Sequence, residues 1–215
     1  VAQATVTLAV GGIPDTRAPL TVLEIGLPRV DGVPVFVASA TPFAFLAADE
    51  GAAFGDGPGV GVATLTFAVN GSTTVVSNST TGASVGYTLR LGEALEGWVT
   101  IAYGAEDRAG NIEVLRSTTV VLDYSAPVTQ VLRSTPAFGA FVSTRTVFSL
   151  IPVDRGSVPV GVQATVYAID DAPLAPAPAG FSLAPPERAA TISFGSSDRL
   201  GNQEVLASTT AVLDA

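Results

Sequence analysis

Apolar residues in this chain recur at a spacing of two far more clearly than at three or four. In Trp98 to Tyr103 (WVTIAY), Val99, Ile101 and Tyr103 fall on one side and Thr100 and Ala102 on the other. Ala190, Ile192 and Phe194 repeat that apolar side later in the chain, and Phe67 and Val69 are matched by Tyr167 and Ile169. Period-two alternation marks a half-buried strand. No stretch sustains a 3.6-residue apolar period with caps. The runs are short and bounded by Gly, Pro, Asp and Asn, residues that open and close strands. In the first half of the chain the pattern predicts strands at about 20–25, 34–38, 42–48, 62–69, 85–91, 98–105 and 112–122. The same alternation places Trp98 on the outward side, opposite Val99, Ile101 and Tyr103.

The pattern repeats itself. Asp107 to Asp123 reads DRAGNIEVLRSTTVVLD and Asp198 to Asp214 reads DRLGNQEVLASTTAVLD. Thirteen of these 17 positions are identical at a constant offset of 91. The match extends backwards: Trp98–Tyr103 with Ala189–Phe194, Tyr87–Leu89 with Phe181–Leu183, Gly61–Val69 with Gly161–Ile169, and Phe43–Asp49 with Phe148–Asp154. Asp15-Thr16-Arg17-Ala18-Pro19 aligns with Asp123-Tyr124-Ser125-Ala126-Pro127. A repeat of this length sets the architecture. Residues 1–14 form a leading segment, 15–123 a first unit and 124–215 a second. Most of the extra length of the first unit is one polar insertion, Gly71 to Gly86.

About seven strands in each unit predict an all-β fold of two tandem immunoglobulin-like sandwiches. The sharpest local signal is the turn at Asp107 to Asn111, repeated at Asp198 to Asn202. Asp accepts from backbone N–H groups just ahead of it, and Gly110 supplies a positive φ without steric cost. A hairpin with a loop of about 3–5 residues is expected. Between the units, Asp123 to Pro127 leaves little slack, because Pro fixes its own φ and restricts its predecessor.

The hairpin Ala105 to Glu113, the Thr/Val-rich run Ser117 to Asp123 and the following Ala126-Pro127 resemble bacterial extracellular Ig-like tandem repeats. The second unit departs at Ser196 and Leu200. The resemblance implies arrays in large surface or secreted proteins, such as adhesins, stalks and filaments, or spacers beside enzyme domains. It implies an extracellular or cell-surface location, with neighbouring repeats or copies of the chain as partners; glycans are a further candidate through Trp98. It implies no single activity.

Residues 2–10 (AQATVTLAV) read as one strand outside both units and resemble the last strand of a preceding unit. Two placements are open. The segment is the edge of a longer array or lies along its own first unit; alternatively, it completes a neighbouring subunit by strand addition. The chain begins at Val1, as expected of a processed product or a piece of a longer protein.

Composition narrows the chemistry. The chain has 215 residues, 10 basic and 19 acidic, a net charge of -9, and no Cys or His. All the basic residues are Arg. The acidic balance argues against nucleic acid. Nucleophilic triads and phosphate-binding loops built on His or Lys are excluded. No apolar run is long enough for a membrane-spanning helix. Gly55 to Gly61 is Gly-rich but lies between strands, and is read as a loop. The acids shared by the units are Asp15/Asp123, Asp49/Asp154, Asp107/Asp198, Glu113/Glu204 and Asp123/Asp214. Two units this divergent would hardly both keep one active site, so these acids are assigned to turns and junctions. The sequence nominates no catalytic, cofactor-binding or metal residue. Calcium is the alternative left open, with Asp107, Asn111, Asp49 and Asp123 converging at one end of the first unit. Trp98 is unmatched in the second unit, and its outward side suits a sugar or a neighbouring subunit; packing under the insertion is the competing expectation. Asn70-Gly71-Ser72 and Asn78-Ser79-Thr80 are glycosylation sequons by pattern alone.

Overall fold

The computed structural model describes residues 14–49, 59–78 and 82–214. All of the leading segment but Pro14 therefore lies outside the described residues, as does most of the Gly-rich loop. The first repeat supplies β1 (Leu20–Ile25), β2 (Arg29–Val30), β3 (Val35–Val37), β4 (Pro42–Ala48), β5 (Val62–Val69), β6 (Ser72–Ser77), β7 (Ser84–Arg90), β8 (Gly97–Asp107) and β9 (Arg116–Leu122). The second supplies β10 (Val128–Arg133), β11 (Ala137–Phe138), β12 (Phe141–Val142), β13 (Phe148–Val153), β14 (Val162–Ile169), β15 (Ala175–Pro176), β16 (Arg188–Asp198) and β17 (Ala207–Leu213). The only helical element among the described residues is a 3-10 turn, Glu93–Leu95, and no helix is long and apolar enough to cross a membrane.

The strands build two tandem Ig-like sandwiches. The first pairs a three-stranded sheet, β1-β4-β7, with a six-stranded one, β2-β3-β9-β8-β5-β6. The second pairs β10-β13 with β11-β12-β17-β16-β14-β15. In each, a short early strand runs parallel to the last one: β3 with β9, β12 with β17. In each, the strand that opens after the glycine turn carries a register shift at its start, between Val62 and Thr64 in β5 and between Val162 and Ala164 in β14.

Two departures from the sequence reading concern strand number. The insertion is not featureless: Ser72–Ser77 pairs with β5 from Thr64↔Ser77 to Val69↔Ser72. Conversely, the counterpart of β7 in the second unit shrinks to one bridge, Phe148 with Phe181, whose backbone groups exchange bonds of 2.8 and 3.0 Å.

The alternation read from the sequence is the burial pattern. Phe43, Phe45 and Ala47 of β4 are buried, as are Val99 and Ile101 of β8, while Trp98 stays 57% exposed. Phe67 stacks on Phe45 at 5.3 Å and on Tyr87 at 5.0 Å. The second core gathers Phe148, Ile192, Phe194 and Leu213, with Tyr167 against Phe181 at 4.7 Å. Each such side chain removed from water contributes about 1.5–3 kcal/mol.

Candidate functional site

The shared acids meet at the ends of strands. Asp107 closes β8. Its Oδ1 accepts from the backbone N–H of Ala109 and of Asn111, both at 2.8 Å, and its Oδ2 accepts from Asn111 Nδ2 at 2.7 Å. Asp198 does the same with Leu200, Asn202 and Asn202 Nδ2 at 2.8, 2.9 and 2.6 Å. The turn requires left-handed backbone at its glycine, and Gly110 and Gly201 have φ of 89° and 90°. Asn111 Nδ2 also donates to the Asp15 carbonyl, and Asn202 Nδ2 to that of Asp123.

Asp49 and Asp154 stand just after β4 and β13. Each accepts through Oδ2 from a glycine N–H, Gly61 at 2.7 Å and Gly161 at 2.6 Å. Asp15 Oδ2 accepts from Val60 N–H at 3.0 Å, and Asp123 Oδ2 from Val160 N–H at 2.7 Å. The result is one carboxylate trio in each of the two compact units: Asp15, Asp49 and Asp107 in one, Asp123, Asp154 and Asp198 in the other. Within each trio, one oxygen per residue lies within 4.8 Å of the others.

This corrects the expected set. Asp49 and Asp107 do converge with Asn111 nearby, but the third acid is Asp15, and Asp123 turns onto Val160 to join the second trio. Sequence placed Asp123 at the end of the first unit. The bond that decides its company reaches 37 residues ahead.

Crowding like charges out of water raises their proton affinity. Burial pushes the Asp123 carboxyl up to about 6; Asp154 and Asp198 add repulsion, and the Val160 N–H opposes the shift. Burial likewise raises Asp49, with Asp15 and Asp107 adding to the effect, and raises Asp154, with Asp198 adding. Each trio therefore favours an added positive charge. The donors are all hard oxygens, and a carboxylate has about four lone-pair sites. The set suits a cation such as calcium, which takes oxygen ligands at about 2.3–2.6 Å. Asp15, Asp49 and Asp107, or Asp123, Asp154 and Asp198, are the residues that would hold it. The backbone bonds already made by the same oxygens give them a complete turn-capping role besides.

Glu113 and Glu204 are a further shared pair, and Asp214, the counterpart of Asp123, donates its N–H to the Val142 carbonyl at 2.9 Å. Glu113 is 6% exposed; its Oε1 accepts from Thr21 N–H at 3.0 Å and its Oε2 from the Thr21 hydroxyl at 2.5 Å. Glu204 takes Thr129 N–H at 2.8 Å and the Thr129 hydroxyl at 2.6 Å. In each unit this ties the first strand of one sheet to the segment leading into the last strand of the other. Sequence marked both glutamates as shared but did not reveal their Thr partners, 92 and 75 residues away.

The insertion and its surroundings give the other sequence candidates. Asn70 has a φ of 47° and its Oδ1 accepts from Thr100 N–H at 2.8 Å. Asn78 Nδ2 donates to the Val62 carbonyl at 3.0 Å. Both sequon amides thus serve the turns of the β5–β6 region.

No family model matches the chain, and none of the curated proteins matches it. Among solved structures, the chain is similar to the fibronectin(III)-like modules of Clostridium thermocellum CbhA, with 10% identity and a TM-score of 0.39 over 90% of this chain and 94% of that one. It is also similar to a structure bearing on the host cell surface retention of a 1.5-MDa bacterial ice-binding adhesin, with 15% identity and a TM-score of 0.42 over 94% of this chain. The chain spans 65% of that second structure's length.

Proposed function

We propose that this chain is a segment of a non-enzymatic bacterial protein displayed outside the cell, where its Ig-like units act as structural and adhesive pieces of a filament, stalk or adhesin. The observation that carries this reading is the shared hydrogen-bond network. Both units spend their common acids on the same backbone donors at the same places. A duplicated active site would instead leave a carboxylate pair facing a cleft. The resemblance of the Asp107–Asn111 hairpin to extracellular repeats supports the location. Adjacent repeats or copies of the chain are the partners this role requires.

The second reading is an accessory binding module of a secreted enzyme. Trp98 favours it, since an aromatic ring left 57% exposed on an outward sheet face suits a sugar ring. Titrating the full chain with a panel of polysaccharides while following Trp fluorescence separates the two. The structural reading expects no shift. A saturable shift abolished by Trp98→Ala would replace it with the accessory reading, and turnover of a glycoside or ester substrate would overturn both.

A further inference from the structure

The two units finish their six-stranded sheets differently. In the second, the edge strand β15 is two residues long, Ala175–Pro176, and sits between Pro173 and Pro178. Proline cannot donate to a ladder, and short proline-rich edges block unwanted pairing. In the first, the edge strand among the described residues is β6, with six residues, Ser72–Ser77 (STTVVS), five of them exposed, and no proline and no charge. An antiparallel strand bonded on one side only presents alternate N–H and C=O groups to whatever lies beyond. Nature usually guards such an edge with a charge, a bulge or a proline. Here β6 pairs with β5 in unbroken register from Thr64↔Ser77 to Val69↔Ser72.

We infer that β6 is a docking edge at which a second copy of this chain lays its own β6 antiparallel, continuing the six-stranded sheet across a two-fold axis. Charge picks the occupant. The chain carries a net charge of -9, so two copies repel over most of their surfaces. Between Asp56 and Arg90 there is no charged residue, and β6 lies in the middle of that stretch. Copies therefore approach there with the least repulsion. The strand is also self-complementary. Pairing Thr73 with Ser77, Thr74 with Val76 and Val75 with its own copy keeps each pair on one face of the sheet, sets β-branched residues opposite one another and brings no like charges together. A two-fold axis closes this contact at a dimer. Outward side chains such as Val75, 56% exposed, gain a neighbour, while Thr74 and Val76 lie on the side of Phe67 and Leu65.

This deepens, and rests on, the reading of the chain as a piece that assembles with copies of itself. An edge-only contact is small and belongs to the weak class of interfaces. Sedimentation velocity of the full chain from micromolar to millimolar concentration should show a monomer–dimer equilibrium. Val75→Glu should abolish the dimer without lowering the melting temperature, while Leu132→Glu, at an exposed apolar position elsewhere, should leave it intact. Because the chain has no cysteine, single replacements at Thr73, Thr74, Val75 and Val76 can be oxidised to report proximity. These should cross-link faster than a cysteine at Leu132. A monomer at every concentration, or equal cross-linking at all five positions, would overturn the proposal. A monomer that also leaves Trp fluorescence unmoved by glycans removes this edge alone. A monomer with a glycan response removes the assembling role as well.

Discussion

Glu113 and Glu204 occupy the same place in the two units and are held by different neighbours. Both grip a threonine of the first strand through its N–H and its hydroxyl. Around Glu113 the third partner is Arg116, whose Nε lies 3.5 Å away and whose side chain is half exposed. Its counterpart in the second unit is Ala207. There Ser196 takes over, donating its N–H to Glu204 Oε2 at 3.0 Å while its hydroxyl bonds those of Thr129 and Thr165. Both units thus place a hydrogen-bonded carboxylate here, buried in the first and half-buried in the second, and complete it with either an exposed cation or a hydroxyl network. The two solutions differ in what is lost when the glutamate goes. Glu204→Ala orphans Thr129 N–H and Ser196 N–H in the interior, and should cost roughly 3–4 kcal/mol. Glu113→Ala orphans as many donors, the Thr21 N–H and the Thr21 hydroxyl, both buried, and releases an exposed arginine; a loss of the same order, roughly 3–4 kcal/mol, is expected. Urea unfolding followed by hydrogen exchange in each unit measures both. A clearly smaller loss at Glu113 would mean that the Thr21 donors find other partners once their carboxylate is gone.

The carboxylate trios give the next largest contrast. Asp123 titrates near 6 in the folded chain, well above the ordinary carboxylate range. The sign follows from linkage. The folded state binds the proton more tightly, so this stabilisation is fully present below about pH 4 and is lost as pH rises through about 6. In EDTA the second unit should therefore gain on the order of 2 kcal/mol between pH 7 and about pH 4.5. Asp123→Asn should flatten that profile and leave the first unit's unchanged. Millimolar calcium at pH 7 should raise the melting temperature by a few degrees if a cation replaces the proton. A melting temperature indifferent to calcium and EDTA alike would assign the trios to turn capping alone.

Ser196 and its cross-strand partner Thr165 form a smaller test. The corresponding pair is Ala105 with Leu65, in direct register across β8 and β5. One unit fills this spot with hydroxyls and the other with apolar volume. Ser196→Ala alone should cost about 1 kcal/mol, since it leaves Thr165 without its partner. The double change Ser196→Ala with Thr165→Leu should recover most of that loss, because both polar groups leave together. A double variant that is worse than the sum of the two single changes would show that the leucine does not fit here as Leu65 does in the first unit.

Strand positions were legible wherever one face is buried. Leu20–Ile25, Pro42–Ala48 and Val62–Val69 lie where alternation between Pro, Gly and Asp placed them. The Asp107 and Asp198 turns were legible too, because their bonds span only two to four residues. β6 was not. It lies at an edge with five of six residues exposed, so burial imposes no apolar face, and Ser and Thr read as loop. The run 112–122 was read one turn too long. Glu113 swings in to meet Thr21, leaving Val114 86% exposed, and the ladder resumes only at Arg116. Sequence held every acid of the trios, and even their pairing between units. What it lacked was the long-range bond that draws each one in, such as Asp123 to Val160.

The smallest contrast lies at the turns that follow β5 and β14. Asn70 and Asp170 both adopt left-handed backbone, with φ of 47° and 53°, which Asn and Asp tolerate better than most residues. Both accept a backbone N–H through Oδ1, from Thr100 at 2.8 Å and from Thr191 at 2.9 Å. Only Asp170 carries a charge, and it meets a cation: Arg188 reaches its Oδ2 through Nε at 3.3 Å and through a second nitrogen at 3.1 Å. The Thr191 N–H first, and Arg188 second, hold the Asp170 carboxyl below the ordinary range. A lowered folded pKa gives stability that is present above the ordinary carboxylate range and is lost as pH falls through the lowered value. Asp170→Asn keeps the turn and the Oδ1 bond but removes the charge. At pH 7 it should change the melting temperature little, because an exposed ion pair is screened by solvent. At about pH 3 the gap between variant and parent should close or reverse, because the parent is then losing what the variant never had. A variant that melts well below the parent at pH 7, in low and high salt alike, would mean that the side chain serves the turn through more than the bond that Asn70 makes in its place.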